Sequence, residues 1–269
     1  MNMVELGRTD LTYGVLVRGI PSQCDGLLAR TIDVGGHVVT SEVIAVPNQS
    51  AIDEFVDFED GQLPPAGWTK VTSASGSGTT VSIDASAAHS GAQGLLCIDN
   101  SMTEASTQRA GIEHPLPPGR FEWRVEGWFN PTQVEFAPGQ SLYLLYFLSG
   151  KSLSAAARIH NDAGTLRAGL VAKDANDTLT LRARDGPAVI ALGSWRKWRL
   201  ELVRLATRET TAILYLDEVG RMKEQVRLNW DSTAHEPSTV RAGIGFSSLG
   251  AAATVLADEL RLTESELTL

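Results

Sequence analysis

The sequence predicts an all-β chain: a two-sheet antiparallel sandwich preceded by an N-terminal extended arm or small β extension. Three observations carry this. Short apolar stretches recur between Gly, Pro, Asn and Asp from about Asp53 to Leu262. Within them apolar and polar residues alternate at period two, as in strands with one buried face. Patterns of helical period are nearly absent.

Residues 1–50 stand apart. Their apolar stretches, Tyr13–Ile20 and Thr31–Val46, are split by turn-forming residues and contain no Trp or Phe. They are too few to build a core alone. They therefore either pack on the sandwich or pair with another subunit, with a linker near Pro47. From Asp53 the strands follow. In Phe121–Phe129 one face carries Phe121, Trp123, Val125 and Phe129, and the other Glu122, Arg124 and Glu126. Trp198, Leu200 and Leu202 oppose Arg199 and Glu201, and Ala212–Leu216 and Val240–Phe246 alternate likewise. Turns are expected at Asp174–Asp177 and Asp217–Gly220, a loop at Gly61–Pro65 and a short tail at 263–269.

The composition excludes some partners. Lys plus Arg number 23 against 32 Asp plus Glu, a net charge of −9. That opposes the phosphate neutralisation on which nucleic-acid binding depends and attraction to anionic membranes. The longest apolar runs, such as Leu142–Leu148, are strand-sized, so no membrane insertion is expected. The opening MNMVELGRTD lacks the basic-then-apolar order of a secretory signal. Cys24 and Cys97 make no disulfide framework, and Cys97, within Leu95–Ile98, reads as a small buried hydrophobe.

Several motifs in order carry a resemblance. Phe58-Glu59-Asp60-Gly61 is followed by Gly67-Trp68, Val81-Ser82-Ile83-Asp84 and His89-Ser90-Gly91. Then come Trp195–Leu202, Leu214–Gly220, Ala242–Phe246 and Ala257–Leu262. Together they resemble the concanavalin A-like lectin/glucanase (laminin G-like) jelly-roll domain over residues 53–262. Carbohydrate-binding jelly rolls compete for the same architecture.

Glycosidases of this fold carry alternating carboxylates, E-x-D-x-E, which place acid and nucleophile on one face. The nearest stretch here, Phe55-Val56-Asp57-Phe58-Glu59, has Phe55 where the first Glu belongs. Ser149-Gly150-Lys151-Ser152 ends like a phosphate-binding loop but lacks its leading Gly, and reads as a turn. The five histidines lack zinc-ligand spacing. The chain is thus expected to be no enzyme.

Alternation in the last strand puts Asp258 on the face of Leu256, Leu260 and Leu262, where a buried carboxylate must be paired or bind a cation. The resemblance implies a structural Ca²⁺ held by Glu59 and Asp258, with Asp57 or Asp84 and carbonyls near Ser90–Gln93 as further oxygens. The alternative is hydrogen bonding to backbone or a hydroxyl. Trp68, Trp128 and Trp230 are candidates for exposed aromatic platforms that stack on glycans. These readings together suggest a structural or display subunit of a virion or extracellular surface assembly. It would join other subunits through residues 1–50 and possess glycan attachment as a secondary role. A stand-alone lectin-like or adhesive module is the alternative.

Overall fold

The computed structural model describes residues 52–73, 78–100, 108–118, 122–135, 137–173, 179–182, 188–204, 209–217, 222–229, 236–247 and 252–264, with four short strands nearer the N-terminus. The chain divides into two compact units, Met1–Ile52 with Glu266–Leu269, and Asp53–Ser265. The first contains β1 (Gly26–Leu27), β2 (Arg30–Ile32), β3 (Val38–Thr40) and β4 (Ile44–Ala45). β1 pairs with β4 and β2 with β3, both antiparallel.

The second unit is a sandwich of two antiparallel sheets, with no α-helix among the described residues. Its strands are β5 (Asp53–Val56), β6 (Thr69–Thr72), β7 (Thr79–Asp84), β8 (Gly94–Asp99), β9 (Gln108–Pro115), β10 (Trp123–Glu135), β11 (Ser141–Ser149), β12 (Ser152–Asp162), β13 (Thr165–Lys173), β14 (Leu179–Arg182), β15 (Arg196–Arg204), β16 (Glu209–Leu216), β17 (Met222–Asn229), β18 (Thr239–Ser247) and β19 (Ala252–Glu264). An eight-stranded sheet runs β17-β16-β15-β10-β19-β8-β7, with β5 beside β19. A seven-stranded sheet runs β14-β13-β12-β11-β18-β9-β6.

The core follows the alternation. Trp123, Val125 and Phe129 of β10 point inward with Trp198, Leu200 and Leu202 of β15 and Ala212, Leu214 and Leu216 of β16. From the other sheet come Ile112, Leu142, Leu145, Phe147, Ile159, Leu170, Val240 and Ile244, all at most 1% exposed. Burying each such side chain stabilises the fold by about 1.5–3 kcal/mol before its entropy cost. Cys97 lies in this core, and burial pushes its thiol up to about 12. Ser149-Gly150-Lys151-Ser152 is the β11–β12 turn, with Gly150 at φ 57°.

The register shifts at several places among the described residues, and two of them bear on the candidate sites. Glu259 has φ 51°, and the β10–β19 register shifts there, so Trp128 opposes Asp258 while Val125 opposes Leu262. Directly opposed residues share a face. Asp258 therefore lies on the outer face with Trp128, not in the layer of Leu260 and Leu262, which corrects the sequence expectation. In β11 the register shifts between Tyr143 and Leu145. Leu144 and Leu145 are both fully buried, and Tyr143 and Tyr146, three residues apart, share the outer face. Phe55 points outward at 59% exposure. No helix in the described residues is long and apolar enough to cross a membrane.

Candidate functional site

The four carboxylates expected around a cation each have a local task. Asp258 is fully buried. Its Oδ2 accepts the backbone N–H groups of His89 (2.8 Å) and Ser90 (3.1 Å), and its Oδ1 that of Glu259 (2.8 Å). Burial raises its pKa, against the pull of these bonds. Glu59 Oε1 accepts from Ala92 N (2.9 Å) and Gln93 N (3.0 Å). Gly91, at φ 70°, lets the carboxylate approach, since a Cβ there would collide with it. Asp84 caps the 3-10 turn Ala85–Ala87 through Ser86 N (2.8 Å), and Asp57 accepts from Glu59 N (3.2 Å). Five N–H donors thus face Asp258 and Glu59, and a donor lining repels a cation. Among the described residues no three His, Cys, Asp or Glu side chains converge on a metal position. The residues present do not fit calcium. They fit a clamp that binds the 85–93 loop to β19 and to the end of β5.

The aromatic candidates also fall apart. Trp68 is 4% exposed, with its ring 5.3 Å from His114, and presents no platform. Trp128 is on the outer face as expected, but His89 stacks on it at 4.0 Å and meets Trp195 edge-on at 5.2 Å. Ser90 Oγ donates to Glu259 beside them (2.5 Å). This group secures the same loop. Trp230 lies outside the described residues, as do the Pro47 linker, the Asp174–Asp177 turn and most of the N-terminal arm. Around Trp128 the outer face is a ladder of opposite charges, with Glu126 bonded to Arg124 (2.7 Å) and Lys197 (3.4 Å), and Arg199 to Glu201 (3.2 Å).

The outer face of the seven-stranded sheet is different. On β12, Arg158 and His160 alternate with the core residues Ala157 and Ile159, and each is only 9% exposed. Arg158 stands directly opposite Tyr143 of β11, and His160 opposite Ser141. Neighbouring strands lie about 4.8 Å apart, so these four residues form one compact block. Arg158 Nε and His160 Nδ1 are buried without a hydrogen-bond partner. Seven other buried side-chain atoms among the described residues share this state, at Trp68, His89, His114, Asn130, Trp198, Arg199 and Thr211. The Arg158 and His160 atoms differ in lying two residues apart on one face, where one ligand or water can reach both. Burial, then the Arg158 charge, lowers the His160 pKa, while Asp162 and a hydrogen bond to the Arg167 main chain work the other way. Burial raises that of Tyr143, against the pull of Arg158. Beside this block Tyr146 is 4% exposed and lies against Gly245, where a Cβ would collide with the ring. Arg241 donates to Glu113 (2.6 Å) and to the Tyr146 hydroxyl (3.4 Å).

No protein-family model matches the chain, and no curated protein matches its sequence. Solved structures do match its fold. An endo-β-1,4-glucuronan lyase from the fungus Trichoderma reesei superposes with TM-score 0.58 at 15% identity, covering 79% of this chain and 95% of that one. A cellulose-induced protein, Cip1, gives 0.57 at 15%, covering 80% and 99%. A carbohydrate esterase from the Shiga toxin-encoding bacteriophage phi24B gives 0.50 at 15%, covering 80% and 97%. The chain therefore shares with these structures its fold, a sandwich of two antiparallel sheets. The expectation of a non-catalytic chain is corrected by these matches, because the fold is shared with enzymes named as a lyase and an esterase. A carboxylate pair is the machinery of glycoside hydrolysis. Elimination needs none: it needs a cation, a base and an acid. Sequence reading missed Arg158, His160, Tyr143, Tyr146 and Arg241. The usable signal was Arg158-Ile159-His160, two polar residues at period two within an otherwise apolar strand.

Proposed function

We propose that this face is the active site of a polysaccharide lyase acting on a uronate polymer. The observation that carries the reading is the pair Arg158 and His160, nine-tenths buried with Nε and Nδ1 unpartnered, set across from Tyr143 and Ser141. The glucuronan lyase of the same fold supports it by analogy.

In β-elimination a base removes the C5 proton, beside the uronate carboxylate. The C5–H electron pair becomes the C4=C5 double bond, the C4–O4 pair departs on oxygen, and that oxygen takes up a proton. Arg158 receives the carboxylate and stabilises the negative charge that builds on it. His160, its pKa lowered by burial and by Arg158, is neutral near pH 7 and takes the C5 proton. Tyr143, its pKa raised by burial, retains its proton and delivers it to O4.

The test is incubation of the full chain with glucuronan and with a neutral glucan, followed by ultraviolet absorbance of the unsaturated product. Absorbance should rise on glucuronan alone, and its rate should fall on the order of 10²–10³-fold in Arg158→Met. If no 4-linked uronate polymer is cleaved, the lyase reading fails. The phage origin of the esterase of this fold favours a virion or extracellular surface assembly, and the joining of other subunits through residues 1–50 is proposed from their strand-like apolar stretches. Deleting that segment should then lower the particle mass in solution and leave cleavage intact.

A further inference from the structure

We propose that Arg241 is a positioning residue, acting through Tyr146 to hold the Tyr143 phenol at the reacting bond. This rests on the lyase reading above, and deepens it by adding a residue that does not touch the sugar.

The register lays Thr69, Glu113, Arg241, Tyr146 and Ala156 in one row across β6, β9, β18, β11 and β12. The row is bonded along its length. Thr69 Oγ1 donates to Glu113 Oε1 (3.4 Å), Arg241 Nε donates to Glu113 Oε2 (2.6 Å), and Arg241 Nη1 donates to the Tyr146 hydroxyl (3.4 Å). That hydroxyl in turn donates to Gly245 O (3.3 Å), and the guanidinium lies 5.6 Å from the Tyr146 ring centre. At 4% exposure, with its hydroxyl engaged twice, Tyr146 is shut off from a substrate.

Its ring has a second use. It meets the Tyr143 ring at 6.3 Å and 53°, and both pack with Leu148, Leu153 and Ala156. Tyr143 is thereby held between Tyr146 and the opposing Arg158. The seat on Gly245 and the bond from Arg241 leave Tyr146 one position, and that position limits where the Tyr143 hydroxyl can point. Proton delivery is sensitive to small displacements: a shift of about 1 Å costs on the order of a hundredfold in rate.

The experiment is a double-mutant cycle in the full chain, with Arg241→Met and Tyr143→Phe assayed on glucuronan. Arg241→Met should lower kcat on the order of 10- to 100-fold with KM nearly unchanged. It should lower it no further once Tyr143 is Phe, and Arg241→Lys should restore part of the loss. Additive losses would overturn the proposal. A second readout needs no activity. With four tyrosines in the chain, ring-labelled tyrosine gives a resolvable NMR spectrum, in which Tyr143→Phe and Tyr146→Phe assign the two signals. Arg241→Met, or Arg241→Lys should the first not fold, must move the Tyr143 signal as well as that of Tyr146. An unmoved Tyr143 signal refutes the positioning role. If the chain cleaves no uronate, the lyase reading falls and this spectrum still decides whether Arg241 sets Tyr143.

Discussion

Arg158 faces Tyr143 across the β11–β12 ladder, and the register shift after Tyr143 brings Tyr146 onto the same side three residues later. One extra residue, absorbed at Leu144, thus gathers the cation, the phenol and its support on one surface.

Arg158 is expected to act through its fork as well as its charge. Arg158→Lys keeps the charge and loses bidentate contact with a carboxylate. Turnover on glucuronan should fall on the order of 10²–10³-fold, the cost of losing one preorganised donor. Equal turnover in this variant would remove Arg158 from the mechanism.

The pH profile follows from His160. Burial and the Arg158 charge both lower its pKa, so the acid limb of kcat/KM should lie below the ordinary histidine range. Removing the positive charge by Arg158→Gln lets the pKa rise, and the limb in the residual activity should move to higher pH. Asp162→Asn removes a carboxylate that raises the pKa, so its limb should move lower. A limb that ignores both variants assigns the base elsewhere.

Gly245→Ala would place a Cβ inside the Tyr146 ring. The ring has to leave its seat, a strain of about 1–3 kcal/mol. Thermal melting should show the lower stability, and turnover should fall with it through Tyr143.

The loop clamp makes two opposite predictions. Asp258→Ala abandons three backbone N–H groups and should cost on the order of 2–4 kcal/mol in chemical unfolding. Chelator treatment of the unaltered chain should leave Tm where it was, because protein donors satisfy Asp258 and Glu59. A Tm that falls on chelation and recovers with Ca²⁺ would reinstate the cation.

Cys97, fully buried with its thiol pushed up to about 12, should resist thiol reagents. In a Cys24→Ser background, labelling should appear only on unfolding, since the thiolate is the reactive form.

The sandwich was legible in the sequence wherever alternation ran unbroken, as at Trp123, Val125 and Phe129 or Trp198, Leu200 and Leu202. It misled where a strand takes an extra residue. Asp258 changes face at Glu259, and Tyr143 joins Tyr146 across Leu144. A period of two carries no mark of these shifts, because register is set by the partner strand. The Trp68 platform failed for another reason: a loop tryptophan can be folded under its own strand, and local polarity does not report it.

The sandwich begins with Asp53 opposite Thr263 and continues to Val56 opposite Leu260. The chain therefore enters and leaves at the same end of an antiparallel pair. A tether pulled from both directions would peel β5 away bond by bond, starting at the Arg261–Asp53 fork, rather than shear all its bonds together. What it meets next is firmer. Glu59, just beyond β5, and Asp258, just before the bulge in β19, both grip the 85–93 loop. Under load the first four residues yield cheaply, and the loop then acts as a tie bar between the first and last strands of the sandwich.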